Sequence, residues 1–401
     1  MSTFPPLHNR SRVVARWFAI LLWLGTSWTA MPATGQPVGW LYSAAVRVSP
    51  ATTIADYQLR LDLSPATFEY TKAKADGSDL RVHAGSAALS YWIENWNPLG
   101  VSTLWVKVPA VGTSSLRLYY GNAVATAVSS GTATFDLFDD FDSLAAWTVL
   151  NRNGTGTAVT ATVDGKSVAR LTSQDGVNAI LITRPFASNS ATGHVVETRA
   201  QAGSLNDGYL VGFTDGSLYP AVYDLPGNGY VSYAFRQGNS QSGVIAMVDQ
   251  GGPGSGDWSL PDSGISGQWN IGGLRWSGSN LNNERNRQNL ITGSSTAFAS
   301  LTHIHLSNLS SVWNFDWLLV RKHAPVESVA TFDGAVAEYA AEGNAVDSTG
   351  SHHATANAGV SYGEGVSGKA FQFNGSSGVA TVPAFDMGNS WTIETWVRPD
   401  G

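Results

Sequence analysis

Trp92, Glu94 and Trp96, in the run YWIENWNP, occupy alternate positions of a segment that reads as a β-strand, so all three project to one face. Two indoles beside a carboxylate would give a sugar ring a flat stacking platform and a hydrogen-bond acceptor. The plainer reading is a packed tryptophan pair whose glutamate accepts a hydrogen bond. Asp139, Asp140 and Asp142 crowd one short segment and Asp316 stands much further along. They supply hard oxygen ligands of the kind calcium takes, or else solvated strand-end charges. His303 and His305 share a strand face at a spacing some zinc sites use. Two histidines without a third ligand are better explained as surface polar positions. Glycoside hydrolysis needs two carboxylates flanking the scissile bond. Glu197 in HVVETRA and Glu284 in NNERNR are the strongest isolated candidates, neither with an identifiable partner. No Gly-x-Ser-x-Gly or His-Glu-x-x-His run accompanies them.

The elements that must position these residues are strands. In LRLDL, Leu59, Leu61 and Leu63 share one face against Arg60 and Asp62. Leu104, Val106 and Val108 do so against Trp105 and Lys107, and Leu116, Leu118 and Tyr120 against Arg117 and Tyr119. Further on, TAVTATV, VARLTS, HVVETRAQA, YLVGFT and THIHL are strand candidates separated by Gly- and Asn-rich turns. The asparagine-rich run from Asn280 to Asn289 reads as a loop. Composition agrees: of 401 residues only 13% are charged, 43 are glycine and 11% are aromatic, the balance of turn-rich β structure. A net charge of −7 offers no basic surface to a nucleic-acid backbone. With no cysteine, neither disulfides nor a thiolate metal site contribute.

At the start, Arg10, Arg12 and Arg16 precede the apolar run WFAILLWLG and a small-residue segment ending ATGQP. This is the pattern of a secretory signal cut near Gly35, the apolar run being too short to span a bilayer. Cleavage removes three of the 23 basic residues and none of the 30 acidic ones, leaving an acidic export product. Residues 1–35 are therefore expected to pack into no domain.

The succession DYQLRLDL, FEYTKAKADGSDLRV, YWIENWNP, TLWVKVP and LYYGN resembles the uncharacterised domain that opens many secreted bacterial multidomain proteins, ahead of concanavalin-like or laminin-G-like sandwiches. The resemblance covers about residues 40–135 and implies architecture, not activity. From FDLFDDFDSLAAW to WNFDWLLVRKHAP the chain resembles a concanavalin-like jelly roll. In that fold the opening and closing segments commonly pair, which implies that Asp140 and Asp316 approach closely enough to share a cation or an ordered hydrogen-bond network. The segment APVESVATFDGAVAEYAAEGNA reads as a linker. Beyond it AVDSTGSHHATANAG, KAFQFNGSSGVATV and SWTIETWVRPDG resemble the opening half of a laminin-G-like jelly roll, with Asp347, Ser348, His352 and His353 in an ordinary turn. FQFNG, GVATVP and WTIETWVRP are expected to form β structure. The 69 residues from 333 to 401 are too few to close two sheets, so Ile393, Trp396 and Val397 should lack cover.

The expected fold class is thus all-β, with tandem antiparallel β-sandwiches of jelly-roll, concanavalin- or laminin-G-like type. The division is 1–35 signal peptide, 36–135 N-terminal sandwich, 136–326 second sandwich, and 327–401 linker and half jelly roll. The expected function is that of an exported, non-catalytic binding or adhesion protein, periplasmic, on the cell surface or extracellular, contacting glycans or surface polymers. Calcium is the one cofactor the residues suggest. Two alternatives stand beside it: a polysaccharide-active enzyme, and the extracytoplasmic part of an envelope protein resembling proton-channel subunits, which would meet a membrane only through a C-terminal region absent from this sequence.

Overall fold

The computed structural model describes the chain from residue 37 onward, apart from segments within 152–155, 174–179, 203–207, 217–229, 237–242, 249–257, 262–266, 295, 297, 309–310, 334–336, 338, 348–352, 366–367, 385–392, 394, 396 and 399–401. The expectation for residues 1–35 lies outside the described residues, as do Ser348, His352 and Trp396.

Seven strands come first: β1 (Tyr42–Ser49), β2 (Tyr57–Leu63), β3 (Arg81–Ala84), β4 (Ala87–Leu89), β5 (Tyr91–Asn95), β6 (Ser102–Val108) and β7 (Ser115–Tyr120). A one-turn helix, α1 (Gly131–Thr134), leads to β8 (Leu137–Asp139), β9 (Thr148–Asn151), β10 (Thr157–Val163), β11 (Lys166–Ser173), β12 (Ile180–Asn189), β13 (His194–Ala202) and β14 (Tyr209–Thr214). Then follow β15 (Tyr230–Arg236), β16 (Gly243–Val248), β17 (Trp258–Pro261), β18 (Trp269–Ser277), β19 (Asn280–Arg285), β20 (Gln288–Ser294), β21 (Ser300–Asn308), β22 (Ser311–Lys322) and β23 (Val329–Asp333). The last four are β24 (Thr355–Ala356), β25 (Val360–Glu364), β26 (Lys369–Phe373) and β27 (Ala380–Thr381).

The fold is all-β, and every strand pairing among the described residues is antiparallel. The first sandwich sets the sheet β2-β6-β5 against the sheet β23-β1-β7-β3-β4. Its core is the apolar half of each alternating strand: Leu59, Leu61, Leu63, Leu104, Val106 and Val108 are fully buried, and Leu118 of β7 meets them from the other sheet. Each such side chain contributes roughly 1.5–3 kcal/mol of burial. The second sandwich sets β10-β11-β22-β13-β18-β19-β20 against β17-β16-β15-β14-β21-β12-β9, with β8 also paired to β22. Opening and closing segments do meet, through Leu318↔Asp139, Leu319↔Phe138 and Val320↔Leu137.

Two sequence expectations change. Residues 329–333, expected in a linker, form β23 and pair with β1 from Ala45↔Asp333 to Ser49↔Val329. The first sandwich is therefore completed by a strand that follows the second, and the second is inserted between β7 and β23. The run 280–289 is a hairpin, not a loop. Leu281 and Asn283 face the sandwich core while Asn282 and Glu284 face outward. Pairing along β18 supplies the backbone hydrogen bonds that asparagine propensity alone does not favour. Its two-residue turn holds Asn286 and Arg287 at φ 48° and 64°, the left-handed pair that suits the twist of a hairpin.

In the C-terminal stretch, β24 pairs with β27 and β25 with β26, so FQFNG and GVATVP carry strand. No strand is assigned at the described residues of WTIETWVRP, where Ile393 and Val397 are 70% and 76% exposed.

Candidate functional site

The outward face of β5 is set by an irregularity in its ladder with β6. Register runs Trp92↔Trp105 and Ile93↔Leu104, then shifts, so that Asn95 meets Thr103. A bulge of this kind moves the residues beyond it to the other face. The expected Trp92–Glu94–Trp96 platform is therefore divided. Trp96 turns back to the first core, edge-on to Tyr70 at 5.0 Å, with its Nε1–H donating to the Ala75 carbonyl at 2.8 Å. Trp92 stays outward and is enclosed by Phe138 at 4.9 Å, Phe135 at 5.6 Å and Trp317 at 5.7 Å. Trp105, Leu319 and Ile271 complete this cluster, which joins the outer face of β5 and β6 to β8, β18 and β22. Gly131 of α1 has Phe138 so close that a Cβ there would lie 2.5 Å from its ring.

Glu94 does not face solvent. Its two oxygens accept from Arg287 Nη1 at 3.1 Å and Nη2 at 2.8 Å, and the Trp105 Nε1–H donates to Oε2 at 2.7 Å. Arg287 Nε donates in turn to Glu197 Oε2 at 2.7 Å, and Arg321 Nε to Glu197 Oε1 at 3.1 Å. Arg321 Nη1 reaches both oxygens of Glu327 at 3.4 Å, while His323 Nδ1 lies 3.0 Å from Oε1 and the Tyr57 hydroxyl donates to Oε2. Both guanidiniums lie over the Trp105 ring, at 5.1 and 5.2 Å from its centre. The result is a buried chain of alternating charges, Glu94–Arg287–Glu197–Arg321–Glu327, joining both sandwiches and the segment that leads to β23. Gln58 adds neutral bonds beside it, donating to Asp136 at 3.2 Å and accepting from the Lys322 amide at 2.9 Å.

Electrostatics follow from this pairing. Burial alone would raise the Glu197 carboxyl, but Arg287 and Arg321 hold it below the ordinary carboxylate range. Burial likewise opposes ionisation of Glu327, yet the His323 bond, Arg321 and the Tyr57 hydroxyl bring it down to about 2. Arg287 and Arg321 are raised by Glu197 against the burial that would lower them, and burial then Glu327 push Tyr57 up. Breaking such a pair from one side leaves an uncompensated buried charge.

Glu284 is the exception on this face. The register Glu197↔Gly273↔Glu284 sets the two sequence-nominated carboxylates in one cross-strand row, with a glycine between them. A Cβ on Gly273 would crowd Glu197 Cγ at 3.2 Å and the Val196 carbonyl at 3.1 Å. Arg275 Nη2 lies 2.5 Å from Glu284 Oε1 and forms an ion pair with it, while Oε2 of this buried carboxyl meets no hydrogen-bond donor among the described residues. Burial raises it above the ordinary range, with Arg275 only partly offsetting.

The proposed calcium ligands are not gathered. Asp139 Oδ1 accepts from the Phe141 amide at 2.8 Å, in a turn that holds Phe141 at φ 57°, and Oδ2 accepts from Trp147 Nε1 at 2.9 Å and Arg184 at 3.0 Å. Asp316 is buried and engaged by Lys166 at 3.2 Å and by Arg199. Asp140 and Asp142 are exposed. Cations from the protein already neutralise the two inner carboxylates. Among the described residues no group of three or more His, Asp or Glu is placed to hold a metal ion. His305 is fully buried, which depresses it to about 3, whereas His303 is half-buried with Nδ1 at 2.8 Å from the Thr302 hydroxyl. Asp347 is buried and its amide donates to His353 Nδ1 at 3.2 Å, a local turn contact.

Sequence reasoning missed Arg287, Arg321, Glu327 and Trp105. Trp105 alone carried a signal, a large indole at an outward position of an alternating strand.

Architecture and joint define an all-β protein of tandem antiparallel sandwiches. A family model described as Domain of unknown function (DUF2341) matches residues 76–150. The match runs from the loop before β3 through α1 and β8 to β9, across the joint rather than up to it. No curated protein matches. Solved structures similar to this chain include the T. cruzi calreticulin globular domain, at 13% identity and TM-score 0.37 over 48% of this chain and 89% of that one. A Bacteroides ovatus mixed-linkage glucan GH16 in complex with a G4G4G3G product matches at 14% and 0.34, over 46% and 99%. The VIP36 exoplasmic/lumenal domain in a Ca2+/Man3GlcNAc-bound form matches at 12% and 0.36, over 47% and 91%.

Proposed function

We propose that this chain is an exported, non-catalytic binding protein of the cell envelope or exterior that contacts glycans or surface polymers through its second sandwich, the first serving as a rigid mount. The observation that carries this reading is the joint. Glu197, the carboxylate best placed for bond cleavage, is held ionised between two arginines and sealed under Trp105 and Glu94. A carboxylate so held neither donates a proton at neutral pH nor meets an anomeric carbon, so its chemistry is structural. The net charge of −7 disfavours anionic ligands.

The test is co-sedimentation of the secreted chain with insoluble polysaccharides and cell-wall preparations, with reducing ends assayed in parallel. Retention without release of reducing ends is expected. Absence of retention on every polymer removes the reading. One observation favours a second reading, cleavage of polysaccharide: Glu197 and Glu284 lie in one row with their affinities for protons pushed apart, as in acid and base pairs. Release of reducing ends that Glu284→Gln abolishes would establish it.

A further inference from the structure

A strand edge left unpaired is a template for another chain, and folds blunt such edges with shortness, proline, bulges or charge. The outermost strands of the two sandwiches follow that rule with one exception. β4 and β8 have three residues, and β9 and β17 four, β17 ending in Pro261. β2 carries the ion pair of Arg60 and Asp62, and β23 carries Asp333. The ladders of β5 and β20 are irregular, and the Ser130 amide also donates to the Tyr91 carbonyl of β5 at 2.8 Å. β10, the run TAVTATV, has none of these devices. Its register with β11 is unbroken from Thr157↔Thr172 to Val163↔Lys166, and nothing among the described residues pairs with its other side. It contains no charge, proline or glycine. Thr157, Val159, Thr160 and Thr162 are exposed, Val159 by 48%, so the edge is open to solvent.

The strand itself selects the occupant. Ala158 and Thr160 stand opposite Leu171 and Ala169 of the second core, so Ala158, Thr160 and Thr162 share the inward face while Val159, Ala161 and Val163 share the outward one. A second copy laid antiparallel about a two-fold axis through Thr160 sets Thr160 against Thr160, Ala158 against Thr162 and Val159 against Ala161. Every side chain then meets one from the same face, which a shift by one residue would undo. Thr–Thr and small apolar pairs are favourable cross-strand neighbours, and no like charges come opposite each other. A two-fold contact also closes on itself, so pairing stops at two chains. We infer that β10 is the interface through which two copies of this chain join their β10-β11-β22-β13-β18-β19-β20 sheets edge to edge. This goes beyond the binding function proposed above and does not depend on it, though two second sandwiches side by side would strengthen retention on a polymer. A seven-residue edge covers less than the roughly 800 Å² per partner of stable complexes, so the dimer is weak and depends on concentration.

The experiment is sedimentation equilibrium of the full chain from about 1 μM to about 1 mM, the span in which weak contacts act. The mass is expected to rise from one chain to two and to level there. Thr160→Lys sets two ammonium groups face to face on the axis and should hold the mass at one chain throughout. Its melting temperature should match the wild type, because the position is exposed. Thr331→Lys, at an exposed position of β23, should leave the dimer intact. The chain has no cysteine, so Thr160→Cys carries a single thiol within disulfide reach of its own copy across the axis. On mild oxidation it should link into dimers faster than Thr331→Cys, a readout that stands whether or not the lysine variant folds. A wild type that stays at one chain over the whole range overturns the inference, as does a mass that grows past two without levelling. A dimer that a folded Thr160→Lys leaves unchanged overturns it too, and so does Thr160→Cys linking no faster than Thr331→Cys.

Discussion

Two patches on the outer face of one sheet, a single glycine apart, resolve buried charge in opposite ways. Glu197 sits at the centre of a fully bonded chain in which each carboxylate meets a guanidinium and each guanidinium also covers Trp105. Glu284, across Gly273, has a single ion contact, from Arg275 to Oε1, and is pushed towards its neutral form by burial. Both lie on strands whose other face meets the sandwich core, through Val196 and Ala200 on one and Leu281 on the other. What differs is the cover. The first sandwich brings Glu94, Trp105 and Tyr57 onto one patch, whereas among the described residues Arg275 alone brings a cation to the other. Burial alone therefore does not make a structural ion network. It makes one only where a second layer completes the bonding.

The strongest way to break this comparison is to remove its centre. Glu197→Ala removes the one carboxylate between two buried guanidiniums, leaving Arg287 with Glu94 and Arg321 with Glu327, and a loss of about 3–5 kcal/mol is expected in urea unfolding of the whole chain. A loss below about 1 kcal/mol would mean that water enters the joint and that the network is decorative.

Acid sharpens the contrast next. Glu327 has its proton affinity depressed in the fold, so its stabilisation is present above the ordinary carboxylate value and is lost as pH falls from there towards about 2. Over that window the wild type should lose roughly 2–3 kcal/mol relative to Glu327→Gln. The two unfolding curves should converge at the acid end. Parallel curves across the whole range would show that Glu327 carries no linkage.

Trp105→Phe probes the cover itself. It keeps an aromatic face for the two guanidiniums but removes the Nε1–H that bonds Glu94 at 2.7 Å. Hydrogen bonds to charged groups contribute about 1.5–3 kcal/mol, and Arg287 still holds Glu94 at both oxygens, so a loss at the lower end is expected in the same unfolding assay. An unchanged stability would assign Glu94 wholly to Arg287.

How much of this was legible depends on distance along the chain. The inward half of each strand was, because period-two alternation is local: Leu59, Leu61 and Leu63, and Leu104, Val106 and Val108, are all fully buried. The joint was not. Glu94 and Arg287 are 193 positions apart, and alternation says which residues share a face without saying what comes to cover it. Trp96 was placed with Trp92 because a bulge leaves no mark in a run that still alternates by residue type. The strand 329–333 was read as a linker because its small, weakly patterned residues form strand only when β1 offers an unpaired edge. The hairpin 280–294 was obscured in the same way, its asparagines occupying strand positions that tertiary pairing imposes. Glu197 and Glu284 stood out by type, but their partners could not be named until four strands were placed side by side.

The smallest expected effect is the most informative about the second patch. The fold raises the proton affinity of Glu284, so its neutral form is the one favoured in the folded state. Its contribution is present below the ordinary carboxylate value and is lost as pH rises through the raised one, the reverse of Glu327. Glutamine keeps the shape, cannot ionise and presents an amide to the same patch. At about pH 7 Glu284→Gln should therefore melt at or slightly above the wild type, and the gap should close on acidification towards the ordinary carboxylate range. Arg275 loses its ion contact in this variant, but its side chain is a quarter exposed, so water can replace that contact at little cost. If Glu284→Gln instead destabilised the chain at neutral pH by as much as Glu197→Ala, Glu284 would be a working member of the ion network. The patch would then be an extension of the joint.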